Sequence, residues 1–419
     1  MSKLKELIDK YCPNGVEFKR LGELGVFENI GVDKKTVEGQ PLVTLLNYVD
    51  VYKNMYIDNK TPHMIVSATE KKIQSCSCEK GDIFITPTSE TRDDIGHASV
   101  VTETLINTVY SYHIMRFRLI EVNMITSFFI RYLFETEIVQ KQIYKLAKGL
   151  TRFGLSKYDF AKIEIPFPPL DVQEEIVKIL DRFAEYAAEL QAELQARRDQ
   201  YEYYRDKLLT FNDINRGGVA WMKMSEIGTF VRGNGLQKKD FTENGVPCIH
   251  YGQIYTYYGT FATNTKSFVN EETAKKCKKA HTGDLVFATV SENVDDVCKC
   301  VAWLGNEEIC ISGDSLAFCH NQNPKYLAYY FQTAAFADYK RSKVTGTKVI
   351  RLHQSKLEQF VIPIPSLVEQ ERIVSILDKF ETLVNDLSKG LPAEIAAVQE
   401  RYEYYRNKLL SFPKYRLSA

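Results

Sequence analysis

Part of this chain is written twice. IPFPPLDVQEEIVKILDRF at 165–183 returns as IPIPSLVEQERIVSILDKF at 362–380, an offset of 197 residues. YEYYRDKLLTF at 201–211 returns as YEYYRNKLLSF at 402–412, an offset of 201. Self-similarity at one long period means two copies of one structural unit, so any fold has to be built twice. The regions between the blocks correspond faintly. KGDIFIT from Lys80 aligns with TGDLVFAT from Thr282, FFIRYLFET with YLAYYFQT, and Gly149 and Leu155 with Gly346 and Leu352. The segment ending at Val16 precedes the first variable region as the segment ending at Val219 precedes the second. The repeat is thus nearly circular, and a pseudo-twofold body is the simplest closed arrangement of two such units.

Each repeated block reads as a helix with a sharp start. Ile-Pro-x-Pro is extended, because proline restrains the residue before it, and Asp171 or Ser366 can cap the helix beyond it. In the first copy the apolar positions are Ile176, Leu180, Phe183, Ala187, Leu190, Leu194, Tyr201, Tyr204, Leu208 and Phe211. They step by four and three with Arg197 as the polar intruder, the pattern of a coiled-coil seam. At about 1.5 Å per residue, about 40 residues make a rod of roughly 60 Å. The second copy carries four extra residues between its blocks, a stutter that unwinds the supercoil locally. Gly390 and Pro392 sit there, so a kink or break is expected.

The variable regions mix alternating β-rich runs such as 81–86, 113–120 and 283–289 with amphipathic helices near 127–148 and 324–341. The class expected is α+β: two globular domains held apart by two long antiparallel coiled-coil helices in a pseudo-twofold internal repeat. The expected boundaries are an N-terminal helix at 1–15, domains at 16–164 and 213–361, spacer helices at 165–212 and 362–413, and a tail at 414–419. Fifty-four basic residues balance 54 acidic ones, so any basic surface must be local and offset by acid on the scaffold. Nine cysteines and no apolar run near 18 residues point to a reducing cytoplasm and no membrane partner. Cys298, Cys300, Cys310 and Cys319 with His320 could bind metal if the fold gathered them, but C-x-C spacing on strands reads better as buried structural cysteine. No metal is therefore expected.

With both blocks doubled, the chain resembles a type I restriction-modification specificity subunit over nearly its whole length. The resemblance rests on the paired I-P-x-P-x-L-x-x-Q-x-x-I-V-x-I-L-D-x-F and Y-E-Y-Y-R-x-K-L-L-x-F. It implies two target recognition domains, each reading one half of a split, asymmetric site in double-stranded DNA. It also implies helices that set the gap and dock two modification (methyltransferase) subunits, with restriction/translocase subunits joining through the complex. The chain itself would be non-catalytic and need no cofactor; S-adenosylmethionine, ATP and Mg would belong to the partners. A two-headed protein adaptor that binds no DNA is the alternative.

DNA contacts are expected in the polar, glycine-punctuated loop before each helix. Thr151, Arg152, Ser156 and Lys157 in the first, and Thr347, Lys348, Arg351, His353 and Gln354 in the second, are donor types that phosphates and base edges accept. A second pair of loops, after the G-D strands, offers Ser89 and Arg92, and Ser291 and Asn293. Asp and Asn there also build turns. Arg232 is a further phosphate contact, with Lys238 beside it. On the rods, Tyr201, Tyr204, Tyr402 and Tyr405 either reach a partner subunit or pack the seam. Catalytic motifs are missing: there is no G-x-x-x-x-G-K-[ST] loop, Asn323-Pro-Lys-Tyr326 lacks the second proline of a methyltransferase N-P-P-[FY], and 230–235 is not set in a dinucleotide-binding unit.

Overall fold

The computed structural model describes residues 2–211, 219–385 and 389–415. The domain edge expected at 212/213, most of the linker after it and the last four residues of the tail lie outside these. By its internal contacts the chain divides into two units, Met1–Glu189 with Ile395–Ala419, and Leu190–Glu394. Both cuts fall within helical segments. Each unit therefore contains one head, the start of the helix that follows that head, and the end of the other copy's helix.

The heads share one strand plan despite their weak sequence likeness. In the first, a five-stranded sheet runs in the order Gly25–Glu28, Met115–Leu119, Ile83–Ile85, Ala98–Val101, Tyr56–Ile57. The second repeats it with Gly228–Arg232, Ser315–His320, Leu285–Ala288, Cys300–Trp303, Phe261–Ala262. Ile83, Phe84 and Ile85, and Leu285, Val286, Phe287 and Ala288, are buried without alternation, because the central strand has protein on both faces. A second sheet orders Met64–Ser67, Leu42–Leu46, Leu105–Tyr110, Ser77–Cys78 in one head and Ser267–Val269, Val246–Ile249, Ile309–Ile311, Lys279–Ala280 in the other, where Phe241–Thr242 extends the edge. The fold class read from the sequence, α+β in two globular domains with long helices and an internal repeat, is the one observed. The helical stretches near 127–148 and 324–341 are each two helices, Ser127–Phe134 and Glu137–Leu146, then Pro324–Tyr330 and Ala334–Arg341.

The doubled motifs now have physical reasons. Gln173 and Gln370, the glutamines of the first block, are fully buried. Gln173 accepts from Thr126 N at 3.0 Å and donates to Met124 O and Pro168 O. Gln370 accepts from Asn323 N at 2.9 Å and donates to Pro365 O and Gln322 Oε1. Each ties the start of a head helix to the start of the long helix, and only a side chain with both donor and acceptor does this. Asp181 accepts from Tyr132 Oη at 2.6 Å, and Asp378 from Tyr329 Oη at 2.7 Å, which fixes the same junction two turns on.

The long helix of the first copy, Leu170–Leu209, is continuous. In the second copy the helices are Leu367–Asn385 and Leu391–Leu409, and Lys389 and Gly390 between them are not helical. A Cβ on Gly390 would lie 2.4 Å from Thr382 O, so the chain here folds tightly over the helix it has just left. Residues 386–388 of the inserted stretch lie outside the described residues. At the helix starts, Ser366 accepts from Glu369 N at 3.3 Å as expected of a cap. Asp171 does not cap: it falls inside the first turn, where its charge favours the helix dipole instead.

The second block's contacts are made twice, with the copies exchanged. In the first unit Phe183 stacks on Tyr405 at 5.7 Å and 24°. In the second, Tyr204 stacks on Phe380 at 5.9 Å and 26°. The variable position of Y-E-Y-Y-R-x-K-L-L is a helix cap given from afar. Asp206 Oδ2 accepts from Ala334 N at 3.0 Å, and Asn407 Oδ1 accepts from Glu137 N at 3.2 Å. The local N-cap residues Thr333 and Thr136 turn their hydroxyls back to Tyr330 O and Leu133 O and do not cap their own helices, while the first amide of each helix is taken by the incoming helix. Asp206→Ala and Asn407→Ala are each expected to cost about 1 kcal/mol in denaturant titration. Hydrogen exchange should then rise in Ala334–Arg341 for the first variant and in Glu137–Leu146 for the second.

Candidate nucleic-acid interface

The loops singled out in the sequence meet in space within each head. In the first, Lys148–Gly149 and Phe153–Gly154 form a hairpin whose second strand pairs with Thr88–Ser89, in the register Phe153 to Ser89 and Gly154 to Thr88. In the second, Ile350–Arg351 pairs with Val290–Ser291, and Thr345 bridges back to Arg351. The same bond locks each base: Leu155 N donates to Pro87 O at 3.0 Å, and Leu352 N to Thr289 O at 3.2 Å. Gly149 at φ +142° and Gly346 at φ +100° turn the hairpins; a Cβ on either would lie about 2 Å from the carbonyl oxygen three residues on.

What the hairpins present is basic. Residues 148–162 hold four basic side chains against one acid, and 343–356 hold four against none. Helix Leu170–Leu209 carries ten acids against six bases, so the chain's neutrality comes from the scaffold. Thr151, Arg152, Lys157, Thr347, Lys348 and His353 are exposed, and Arg351 is half-buried. Arg152 Nη2 donates to Thr88 Oγ1 at 3.1 Å, and Arg351 Nη1 to Asp314 Oδ1 at 3.1 Å. Arg232 is exposed, near Gly313 O at 3.4 Å. The sequence reading missed Leu150, 95% exposed at one tip, and Val349, 51% exposed at the other. Exposed apolar tips carry no polar signature, and the pairing that projects them is not visible in the residue string.

Several expected readers are instead spent on the fold. Ser89 is buried and donates to Asp94 Oδ2 at 2.8 Å. Ser156 caps the short helix Lys157–Phe160 by accepting from Asp159 N. Asn293 exchanges hydrogen bonds with Asp296 and builds the turn, with Ser291 Oγ accepting from Asn293 N. Gln354 donates to Glu358, one helical turn on. The Arg92 guanidinium lies over the rings of Phe153 and Tyr144 at 5.0 and 5.7 Å, bracing the hairpin from behind.

Two acids beside these loops, Asp94 and Asp159, are engaged by neighbouring side chains. Burial alone would raise Asp94, but hydrogen bonds from His97, Ser89 and Tyr52 together hold its carboxyl below the usual range. Asp159 is likewise held low by Ser156 and Lys162. Tyr48 Oη donates to Thr88 O at 3.2 Å, and burial pushes its phenol up. A cleft of roughly 450 Å³ lies between Tyr48, Tyr52, Thr88, Ser89, Asp94 and Arg152.

The rod tyrosines also divide. Tyr201 and Tyr402 are buried inside their units, and Tyr204 and Tyr405 stack on Phe380 and Phe183. Docking a partner through Tyr201 or Tyr402 would mean unpacking the seam, whereas Tyr204 keeps an exposed edge. The rings turned outward are Tyr203 and Tyr404, 60% and 59% exposed, under Lys207 and Lys408. The four-cysteine metal group weighed in the sequence is not gathered: among the described residues the one metal-competent cluster is His281, Asp284 and Cys319. All nine cysteines are unpaired. Among the described residues no helix is long and apolar enough to cross a membrane.

Residues 13–197 and 218–397 match the family model described as Type I restriction modification DNA specificity domain. Over 275 residues, 63% of this chain, the sequence is 36% identical to the Type I restriction enzyme EcoR124I/EcoR124II specificity subunit of Escherichia coli, of which 66% is covered. A putative type I restriction enzyme specificity subunit of Haemophilus influenzae is 32% identical over 63% of this chain and 68% of its own length. The chain thus spans about two thirds of these relatives. In fold it is similar, at a TM-score of 0.64 and 16% identity, to a solved chain described under complex assembly and conformational transition of the type I R-M system, covering 95% of this chain and 98% of that one.

If the hairpins are set by their glycines, Gly149→Ala should speed hydrogen exchange at Leu155 N–H. The amides of Ile83–Ile85 in the sheet beneath should keep their protection.

Proposed function

The chain belongs to the type I restriction modification DNA specificity domain family, and we propose that it is the DNA-reading subunit of such a complex, with no catalytic site of its own. The observation that carries this reading is the pair of basic hairpins, projected from the same place on two alike heads but tipped with different residues. Like scaffolds with unlike tips suit a duplex site whose halves differ. Arg152, Lys157, Lys348 and Arg351 supply phosphate or base contacts, Thr151, Thr347 and His353 the shorter polar ones, and Arg232 a flanking phosphate contact. The head boundaries are those near 16–164 and 213–361.

The long helices act as the spacer. Ring pairs made twice with the copies exchanged are what two helices running in opposite directions produce, and such helices present one surface twice. Two modification subunits, which bring S-adenosylmethionine and flip the target base, dock on that doubled surface through Tyr203 and Tyr404, with ATP- and Mg-dependent restriction subunits joining outside. The complex works in the cytoplasm. The reading as a protein adaptor has no support in the family match.

Exchange of 16–164 for the corresponding head of a relative tests the reading. Mapping methylated adenines in cells carrying the whole system should show one half of a bipartite motif altered and the other kept. A change in both halves, or in neither, would refute it. In the assembled complex, Lys348→Ala should reduce the salt slope of DNA binding by about 0.9 for the one phosphate contact removed.

A further inference from the structure

The internal repeat supplies a comparison within one molecule. In both heads a four-residue turn leads into the central strand: Glu79-Lys80-Gly81-Asp82, and His281-Thr282-Gly283-Asp284. The turns match in detail. Gly81 and Gly283 have φ +88° and +93°, and Asp82 Oδ2 and Asp284 Oδ2 each accept from the first residue's N–H at 2.8 Å. Both aspartates are buried.

In the first head a fixed cation neutralises this carboxylate. Arg118 Nε and Nη2 donate to the two oxygens of Asp82 at 2.6 and 2.7 Å, and Nη1 to Glu79 at 2.8 Å. The strand registers name the counterpart in the second head. Phe117 lies opposite Phe27 and Ile83, and Phe318 opposite Phe230 and Leu285, so Arg118 corresponds to Cys319. Glu79 corresponds to His281. The second head therefore has the buried acid without the guanidinium, and a thiol and an imidazole stand around it.

Those three side chains converge. Cys319 Sγ lies 3.3 Å and His281 Nδ1 3.6 Å from Asp284 Oδ2, and all three donor atoms fall within 4.8 Å of one another. Ligands about 2.0–2.3 Å from a tetrahedral zinc ion sit about 3.3–3.8 Å apart, the spacing of the two pairs that Asp284 Oδ2 makes. The other imidazole nitrogen, His281 Nε2, is 3.1 Å from Glu308 Oε1, which is itself held by Lys279. A carboxylate behind the second nitrogen is how metal-binding histidines are oriented.

We propose that the second head binds one divalent metal ion, zinc by its donor set, through His281 Nδ1, Asp284 Oδ2 and Cys319 Sγ. The metal would take the place that the Arg118 guanidinium holds in the first head. Three protein ligands leave one position of a tetrahedral shell for a water. There the ion would neutralise a buried carboxylate and tie strand Ser315–His320 to the turn before Leu285–Ala288. This departs from the expectation that the chain holds no metal, because a ligand set spread over residues 281–319 has no compact spacing to read.

The test uses the full chain, stripped with chelator and titrated with Zn²⁺ or Co²⁺. One zinc per chain is expected, with affinity at least tenfold weaker in His281→Ala and in Cys319→Ser. Glu308→Gln should weaken binding by about tenfold. The Co²⁺ form should show thiolate-to-cobalt charge transfer that Cys319→Ser abolishes. Cys319→Arg, which recreates the first head's arrangement, should fold, bind no metal there and melt at a temperature indifferent to chelator. His281 is a surface residue, so its variant reports on the site even if changes at Cys319 disturb folding. Failure of the wild-type chain to retain zinc, or retention undiminished in both His281→Ala and Cys319→Ser, would overturn the proposal.

Discussion

Each unit has an apolar surface that its own continuous stretch of chain leaves uncovered, and the end of the other copy's helix covers it. In the first unit Tyr402, Leu409, Leu410 and Phe412 join the core built by Ile176, Leu180 and the head helices. At roughly 25 cal/mol per Å² of apolar surface, covering several large side chains is worth more than any single polar contact in the molecule. The polar contacts decide position. Tyr402 Oη and Arg406 reach Glu135 at 2.9 and 3.1 Å, and Asn407 caps the helix behind it.

That exchange explains why the doubled blocks are alike where the heads differ. A helix end that must fit the other copy's head is bound by two surfaces, so Tyr, Tyr, Arg and the Leu pair recur together. A hairpin tip is bound by neither. Gly149 and Gly346 hold the turn, Arg92 braces one hairpin from behind, and the residues between the glycine and the returning strand are free to vary. A protein that must present new tips on an unchanging frame is served by this division.

Much of the frame was legible because it is periodic or repeated. The duplication, the helix starts at Ile-Pro-x-Pro and the apolar seam need no long-range knowledge. What was lost is whatever depends on a neighbour across the fold. Stepping by four and three turns Tyr204 and Leu208 inward, yet Arg205 and Leu209 are the more buried, because Arg205 lies over the Tyr201 ring and pairs with Asp206. Asp206 and Asn407 stood as the uninformative position of their motif, since a cap is recognisable only beside the helix it serves. Ser89 and Ser156 looked like readers because a hydroxyl in a polar loop does not announce which carboxylate or amide will claim it. The pairing of the two candidate loops, and the replacement of Arg118 by Cys319, appear only once strand register is known.

The reciprocal exchange can be measured directly by removing one helix end and asking which head notices. In a chain ending at Glu394, hydrogen exchange followed peptide by peptide should show the first head losing protection, including strand Ile83–Ile85 and helix Glu137–Leu146. The second head, nearer in sequence to the deletion, should keep its protection at Leu285–Ala288. Loss of protection in the second head with the first unchanged would contradict the account.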